Sequence, residues 1–62
     1  MDYSRLVKEY RLKAFITQQE MAEKLGVSFV TVNRWENGHF EPTMKMKRIL
    51  NEMFIKEGIW RK

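Results

Sequence analysis

Residues 17–38 read TQQEMAEKLGVSFVTVNRWENG and contain the start and stop signals of two short helices. Thr17 and Glu20 form a capping box, in which each side chain accepts a hydrogen bond from the other residue's backbone N–H. Gly26 permits the left-handed backbone that ends a helix, and Ser28 is a typical N-cap for the helix that follows. The pattern therefore predicts two helices joined by a tight turn.

The two helices are predicted at about residues 18–24 and 29–36. A turn this short forces a steep crossing instead of an antiparallel hairpin. Ala22 and Gly26 supply the small residues that a close crossing needs. The apolar residues predicted to fill the crossing are Met21, Leu25, Val27, Val32 and Trp35. This is the geometry of a helix-turn-helix, spanning residues 18–37, in which one helix can enter a DNA major groove while its partner braces it.

The rest of the chain adds helices on either side of this motif. Helical spacing of apolar residues predicts a first helix at residues 3–13 and a fourth at about 43–54. The inward-facing positions of the fourth helix are predicted to be Met46, Ile49, Leu50, Met53 and Phe54. Residues 55–60 have two interpretations, a short fifth helix or a tail. We predict an all-α, compact four- to five-helix bundle that forms a single domain over residues 1–62.

Composition argues against several classes of function. The 62 residues include no cysteine and a single histidine, His39, so neither a disulfide nor a zinc site is expected. No apolar run is long enough to span a membrane. No Gly-rich phosphate loop or paired acid–base arrangement suggests an enzyme. We therefore expect a soluble cytoplasmic module with no cofactor, no metal and no small-molecule substrate.

Charge is distributed unevenly along the chain, whose formal net charge is +4. Residues 1–17 hold four bases and two acids, and residues 42–62 hold six bases and two acids. Residues 18–41 hold two bases and four acids, so the central motif is mildly acidic. If the partner is DNA, the chain ends supply much of the attraction to phosphate. The alternative interpretation is a merely well-solvated surface.

The sequence from Ile16 to Ser28, followed by Thr31 to Gly38, resembles the Cro/repressor (XRE-like) helix-turn-helix family. The resemblance covers roughly residues 5–54, with matches in residue type and register along both helices. It implies a lambda-repressor-like fold and sequence-specific binding of double-stranded DNA at the nucleoid. It also implies a transcriptional regulator, for which repression is the family's commoner mode. The recognition helix of the family corresponds to residues 29–36 here.

In this family the recognition helix faces base edges, and neighbouring elements hold phosphates. The resemblance and the side-chain chemistry together predict base contacts from Phe29, Val30, Asn33 and Arg34. The predicted phosphate contacts are Gln18, Ser28, Thr31, Asn37, His39 and Lys45. The family's glutamine at the Gln18 position often also braces a side chain of the recognition helix. The resemblance further implies a structural ion pair between Arg11 and Glu36, joining the first helix to the third.

Each predicted base contact has a chemical counterpart in the major groove. Arg34 can donate two hydrogen bonds to guanine, and Asn33 can read adenine or, alternatively, orient Arg34. Phe29 and Val30 can pack on thymine methyl groups, although a protein contact would also explain two apolar residues at an exposed helix start. Phe40 departs from the polar or basic loop usual in the family, which weakens the phosphate clamp expected there.

Two other functions stay open. The same fold can present Phe29, Val30 and Phe40 as an apolar patch to another protein, which the acidic middle of the chain favours. Alternatively, the chain is the DNA-targeting domain of a larger protein of restriction or methylase type. A salt titration separates the first alternative from DNA binding, because only phosphate contacts weaken steeply with salt.

The sequence leaves the oligomeric state open, and a homodimer is one of the options, because joining two half-sites would raise the affinity of a small module. The predicted seam consists of Ile55, Ile59 and Trp60. Packing of these residues on the domain's own core is the alternative.

Overall fold

The computed structural model describes residues 2–59, which fold into four α-helices joined by short turns. The helices are α1 (Tyr3–Ala14), α2 (Gln18–Leu25), α3 (Phe29–Glu36) and α4 (Met44–Lys56). The all-α prediction is confirmed, and no strand occurs in the described range. None of these helices has the length and apolar character that a membrane crossing requires.

Of the two interpretations of residues 55–60, the short fifth helix does not form within the described residues. Instead, α4 continues through Lys56, and a turn that contains Gly58 follows. Ile59 packs against the core beyond this turn, and Trp60 lies outside the described residues. The prediction therefore ended α4 too early, because Ile55 and Lys56 carry no stop signal of their own.

Every helix begins at a side chain that caps it. Asp2, Thr17, Ser28 and Thr43 precede the four helices, and each side-chain oxygen accepts a hydrogen bond from a backbone N–H three residues later. These bonds satisfy donors that a helix cannot pair internally. The predicted capping box is complete, since the Glu20 carboxylate also accepts from the Thr17 N–H at 2.8 Å. Thr43 precedes α4 and is not its first residue.

All four helices also end in a Schellman turn, in which a backbone N–H donates to the carbonyl five residues earlier. These bonds, at 2.9–3.1 Å, join Ile16 to Arg11, Val27 to Ala22, His39 to Arg34 and Ile59 to Phe54. The turn needs one residue of positive φ, which is glycine after α2, α3 and α4. After α1 it is Phe15, whose φ of 59° costs about 1–2 kcal/mol because its Cβ approaches a carbonyl.

The core lies where α3 packs against α1 and α2, and where α4 packs against α1. The buried side chains are Tyr3, Val7, Tyr10, Met21, Ala22, Val32, Trp35, Leu50 and Phe54. Phe54 is central, because its ring centroid lies 6.3 Å from that of Tyr3 and 6.2 Å from that of Tyr10. Tyr3 is buried without an orphaned hydroxyl, since it donates to Asn51 Oδ1 at 2.9 Å.

The prediction that Ile49 faces inward is wrong, because its side chain is 38% exposed. Leu50 and Phe54 are the residues of α4 that are fully covered, while Met46 and Met53 pack partly against the core. The apolar stripe of α4 is therefore wider than the surface that α1 covers. Ile49 lies on the uncovered edge of that stripe.

Replacing Phe15 by glycine should stabilise the fold. The ring is 93% exposed, so its removal costs little burial, whereas glycine adopts positive φ without strain. After allowing for glycine's greater freedom in the unfolded chain, we expect the free energy of unfolding to rise by about 0.5–1 kcal/mol. A domain of this size should then melt roughly 2–8 °C higher, as measured by circular dichroism.

Phe15→Ala is the matched control, because it removes the ring but keeps the Cβ at positive φ. Its melting temperature should stay close to that of the unsubstituted protein. If Phe15→Gly melts at a lower temperature instead, the ring contributes more to stability than its backbone conformation costs.

Candidate nucleic-acid interface

Helix α3 has one face in the core and one in solvent. Val32 and Trp35 are buried on the inner face. On the outer face, Phe29 and Val30 are 45% and 51% exposed, and Arg34 is exposed as well. A helix held on one side, with apolar and cationic side chains on the other, has the form that enters a nucleic-acid groove.

The N-terminus of α3 is closed by two hydroxyl side chains. Ser28 Oγ accepts from the Thr31 backbone N–H at 3.2 Å and lies 2.9 Å from the Thr31 hydroxyl oxygen. Both residues were predicted to contact phosphate, and the structure places them side by side at the helix start. The first role of Ser28 is structural, because its side chain is the N-cap of α3 and accepts from the Thr31 N–H, which also donates to the Ser28 carbonyl at 3.1 Å.

Arg11 and Glu36 form an ion pair with two parallel hydrogen bonds between α1 and α3. Arg11 Nε donates to Glu36 Oε2 at 2.8 Å, and Nη2 donates to Oε1 at 3.0 Å. Nη1 of the same guanidinium donates to the Ile16 carbonyl at 3.4 Å. The two side chains are 16% and 5% exposed, so little water competes for these bonds.

A chain of side-chain amides, which we call the amide chain, runs from this ion pair to the outer face of α3. Gln18 Nε2 donates to Glu36 Oε1 at 3.0 Å, and Asn33 Nδ2 donates to Gln18 Oε1 at 3.2 Å. Asn37 Nδ2 then donates to Asn33 Oδ1 at 3.0 Å. Three of the predicted DNA contacts are therefore joined to one another and to Glu36.

The Glu36 carboxylate sets the direction of the amide chain. Because an ionised carboxylate only accepts, Gln18 must turn its NH₂ group toward Glu36 and its carbonyl toward Asn33. Asn33 must then offer its own NH₂ to Gln18 and its carbonyl to Asn37. Asn33 keeps one N–H and one oxygen lone pair outside the chain, which is the donor–acceptor set that pairs with adenine.

Glu36 keeps its charge because of its partners. Burial raises the pKa of this carboxyl, but the hydrogen bonds from Arg11 and Gln18 and the positive charges of Arg11 and Lys8 together lower it by more, so its pKa lies below the ordinary value. The hydrogen bond to Glu36 in turn raises the pKa of Arg11. Glu36 is therefore an acceptor at neutral pH, as the order of the amide chain requires.

The loop after α3 brings Phe40 against Arg34. The guanidinium carbon of Arg34 lies 5.1 Å from the Phe40 ring centroid, within the range of a cation–π contact. His39 is exposed in the same loop. Among residues 2–59, no group of three or more His, Cys, Asp or Glu side chains could hold a metal ion.

The basic residues at the start of α4 differ in their surroundings. Lys45 is exposed, and no hydrogen bond within residues 2–59 links it to the amide chain. Lys47 Nζ lies 2.8 Å from Glu41 Oε1 and 5.3 Å from the Tyr3 ring centroid, so this lysine already has partners within the fold. The structure does not bring Lys45 together with the α3 residues into one hydrogen-bonded cluster.

Sequence reasoning missed two features of this surface. It did not place Asn33 and Asn37 in one chain with Gln18, although their spacing of four residues on a helix was a usable signal. It also named Phe40 without connecting it to Arg34. That contact depends on the turn at Gly38, whose direction is visible only in the structure.

The fold and the outer face of α3 define a small, all-helical helix-turn-helix protein. A helix-turn-helix family model matches residues 7–52, which is most of the chain. The chain belongs to this family, and the resemblance drawn from its two central helices is confirmed.

Two relatives with curated names are similar in sequence. An uncharacterized HTH-type transcriptional regulator of Archaeoglobus fulgidus is 32% identical over 66 residues, covering 90% of this chain and 93% of that protein. The HTH-type transcriptional activator BcrR of Enterococcus faecalis is 28% identical over 54 residues, covering 87% of this chain. The matched region is only 26% of BcrR, so the chain spans about a quarter of that protein's length. No solved structure matches the chain.

Replacing Glu36 by alanine should destabilise the fold strongly, because it leaves the Arg11 guanidinium largely buried without its counter-charge. Breaking a buried pair costs about 3–5 kcal/mol, and we expect the lower end because Arg11 keeps some contact with water. Urea denaturation followed by circular dichroism measures the change. The double variant that also carries Arg11→Ala should lose less than the sum of the two single variants.

The pH dependence gives a second measurement of the same pair. Because the pKa of Glu36 is lowered in the folded state, its stabilisation is present above the unfolded pKa of about 4.3 and is lost as pH falls further. The stability difference between the unsubstituted protein and Glu36→Gln should therefore shrink below about pH 4. A difference that stays constant from pH 7 to pH 3 would show that the charge of Glu36 does not contribute.

Proposed function

We propose that this protein regulates transcription by binding double-stranded DNA in a sequence-specific manner, with α3 in the major groove. The observation that carries the proposal is the outer face of α3. Phe29, Val30, Asn33 and Arg34 lie on a helix whose inner face is fixed in the core by Val32 and Trp35. The family membership and the names of the two relatives support the same function.

The four side chains suit different base edges. Arg34 is assigned to guanine, whose O6 and N7 accept two hydrogen bonds from one guanidinium. Asn33 is assigned to adenine, because the amide chain leaves it one donor and one acceptor. Phe29 and Val30 are assigned to thymine methyl groups, which would cover two half-exposed apolar side chains.

Phosphates are assigned to the residues that surround this face. They are Gln18, Ser28, Thr31, Asn37, His39 and Lys45. Gln18 has the best placed backbone, because it is the first residue of α2, where unpaired N–H groups and the helix dipole favour an anion. Much of the remaining attraction comes from the basic ends of the chain.

We propose repression, by occupation of a promoter, as the mode of regulation, with the nucleoid in the cytoplasm as the place of action. One relative is named an activator, so whether this protein lowers or raises transcription needs its own measurement. A reporter gene under the bound sequence should lose expression when the protein is present. A rise in expression would assign activation instead.

The protein-interaction alternative rests on the exposed apolar residues of the same surface, Phe29, Val30 and Phe40. The alternative of a DNA-targeting domain in a larger protein is supported by BcrR, in which the matched region is a minor part. DNA binding that weakens steeply with added salt favours DNA over a protein partner, because each phosphate contact releases counterions.

Replacing Arg34 by alanine should remove a base preference without changing the fold. Selection from a random duplex pool first gives the preferred sequence and identifies a guanine whose substitution weakens binding. Arg34→Ala should reduce discrimination at that base pair by roughly 5- to 150-fold, the worth of one bidentate contact. Its circular-dichroism melt should be unchanged, because Arg34 is exposed.

Arg5→Ala is the matched control, because Arg5 is exposed on α1 and its replacement removes the same charge. It should at most weaken binding to every duplex equally. If no sequence is enriched from the pool, the proposed function is wrong. If Arg34→Ala keeps all base preferences, Arg34 does not read a base.

We also propose that two copies bind together through α4. A shallow apolar groove on this helix is lined by Ile49, Glu52, Met53, Ile55 and Lys56. In an antiparallel, two-fold arrangement of two α4 helices, Glu52 of each copy would lie opposite Lys56 of the other, which favours a second copy as the occupant. Ile59, by contrast, packs against the core of its own chain.

Ile49→Glu should convert a dimer into a monomer, because it places a charge on the apolar lining of this groove. Sedimentation equilibrium measures the mass, and binding to one and to two half-sites measures the effect on DNA. Affinity for the double site should fall, while affinity for the single site stays unchanged. Leu12→Glu, at another exposed apolar residue, should leave the mass unchanged. A monomeric unsubstituted protein contradicts the proposal.

A further inference from the structure

Phe40 is an exposed aromatic residue that the core does not use. Its side chain is 55% exposed, and it is absent from the apolar residues that pack in or against the core. The ring contacts Arg34 instead of the core, with the guanidinium carbon 5.1 Å from the ring centroid. The ring therefore needs an explanation other than burial of apolar surface.

The position of Phe40 is set by the turn that ends α3. Gly38 adopts a φ of 75°, and the His39 N–H donates to the carbonyl of Arg34 at 3.0 Å. This bond returns the chain to the helical turn that carries Arg34. On the other side of Phe40 the chain is held by Pro42, which is buried. The backbone is thus held on both sides of Phe40, which places the ring beside Arg34.

The contact leaves the hydrogen-bonding groups of Arg34 available. A cation–π contact uses the charge of the guanidinium and consumes no N–H donor. Within residues 2–59, no carboxylate forms a salt bridge with Arg34. A long, flexible side chain is therefore restrained before it meets a ligand, while its donors stay free.

We infer that Phe40 is a specificity-determining positioning residue, which holds the Arg34 guanidinium in place to read guanine. This inference rests on the proposed function, because it concerns the same recognition surface. Phe40 acts through Arg34 and contacts no base itself. This inference also explains why Phe40 stands where the family usually has a polar or basic loop residue. A lysine at position 40 would repel Arg34.

The test compares Phe40→Leu with Phe40→Tyr, measuring binding to the selected duplex and to a duplex with the Arg34-dependent guanine replaced. Leucine keeps the apolar bulk but has no π face, whereas tyrosine keeps the π face. Phe40→Leu should lose roughly 2- to 30-fold of the discrimination at that base pair, which corresponds to ~0.5–2 kcal/mol at 1.4 kcal/mol per tenfold. Phe40→Tyr should retain it.

Four further readouts separate positioning from a structural role. The melting temperature of Phe40→Leu, discrimination at other base pairs, and the salt dependence of binding should all stay unchanged. In an Arg34→Ala background, Phe40→Leu should cause no further loss of discrimination. A general loss of affinity at every base pair would overturn the inference, because it would indicate a misplaced loop or a direct contact.

The inference also fails if Phe40→Leu retains full discrimination, or if Phe40→Tyr loses as much as Phe40→Leu. These failures are distinct from failure of the proposed function. If the proposed function fails, the unsubstituted protein enriches no duplex. If only the inference about Phe40 fails, the protein binds a specific duplex, and its discrimination depends on Arg34 but not on the aromatic ring at position 40.

Discussion

The ion pair between Arg11 and Glu36 is the interaction on which the packing of α1 against α3 and the order of the amide chain depend. It joins α1 to α3 through two hydrogen bonds, and it also ties the guanidinium to the carbonyl of Ile16, between α1 and α2. Its carboxylate then orders the amide chain from Gln18 to Asn37. Glu36, at the end of α3, thus supports both the packing of α1, α2 and α3 and the orientation of the amide side chains.

A chain this short can afford such a surface because its helix ends are defined locally. Each helix begins at a capping side chain and ends in a Schellman turn, so the connections need few residues. Between residues 2 and 59 no connection is long, so little backbone would have to be ordered if this surface bound a partner. The turn after α1 differs from the other three, because its left-handed residue is Phe15 and not the glycine that this conformation favours.

Local signals explain which parts of the structure were predictable from the sequence. The capping box at Thr17 and the stop at Gly26 act within a few residues, and both were identified. The contact between Asn33 and Gln18 joins residues 15 positions apart, so it depends on how α2 and α3 cross. Ile49 was misplaced because helical periodicity gives a stripe of apolar residues but not the width of the neighbour that covers it. The same limit applies to the ring of Phe40, whose partner is set by the direction of a turn.

The amide chain has a consequence for motion as well as for structure. Because the carboxylate at its start is held by Arg11 of α1, any fluctuation that detaches α1 removes the two bonds that fix the position of Glu36, and through Glu36 the positions of Gln18 and Asn33. The lifetime of an ordered amide chain is therefore tied to the time that α1 stays packed on the bundle. Hydrogen exchange in α1 and in α3 would then report a single opening event, shared by a helix in the core and a surface on the outside.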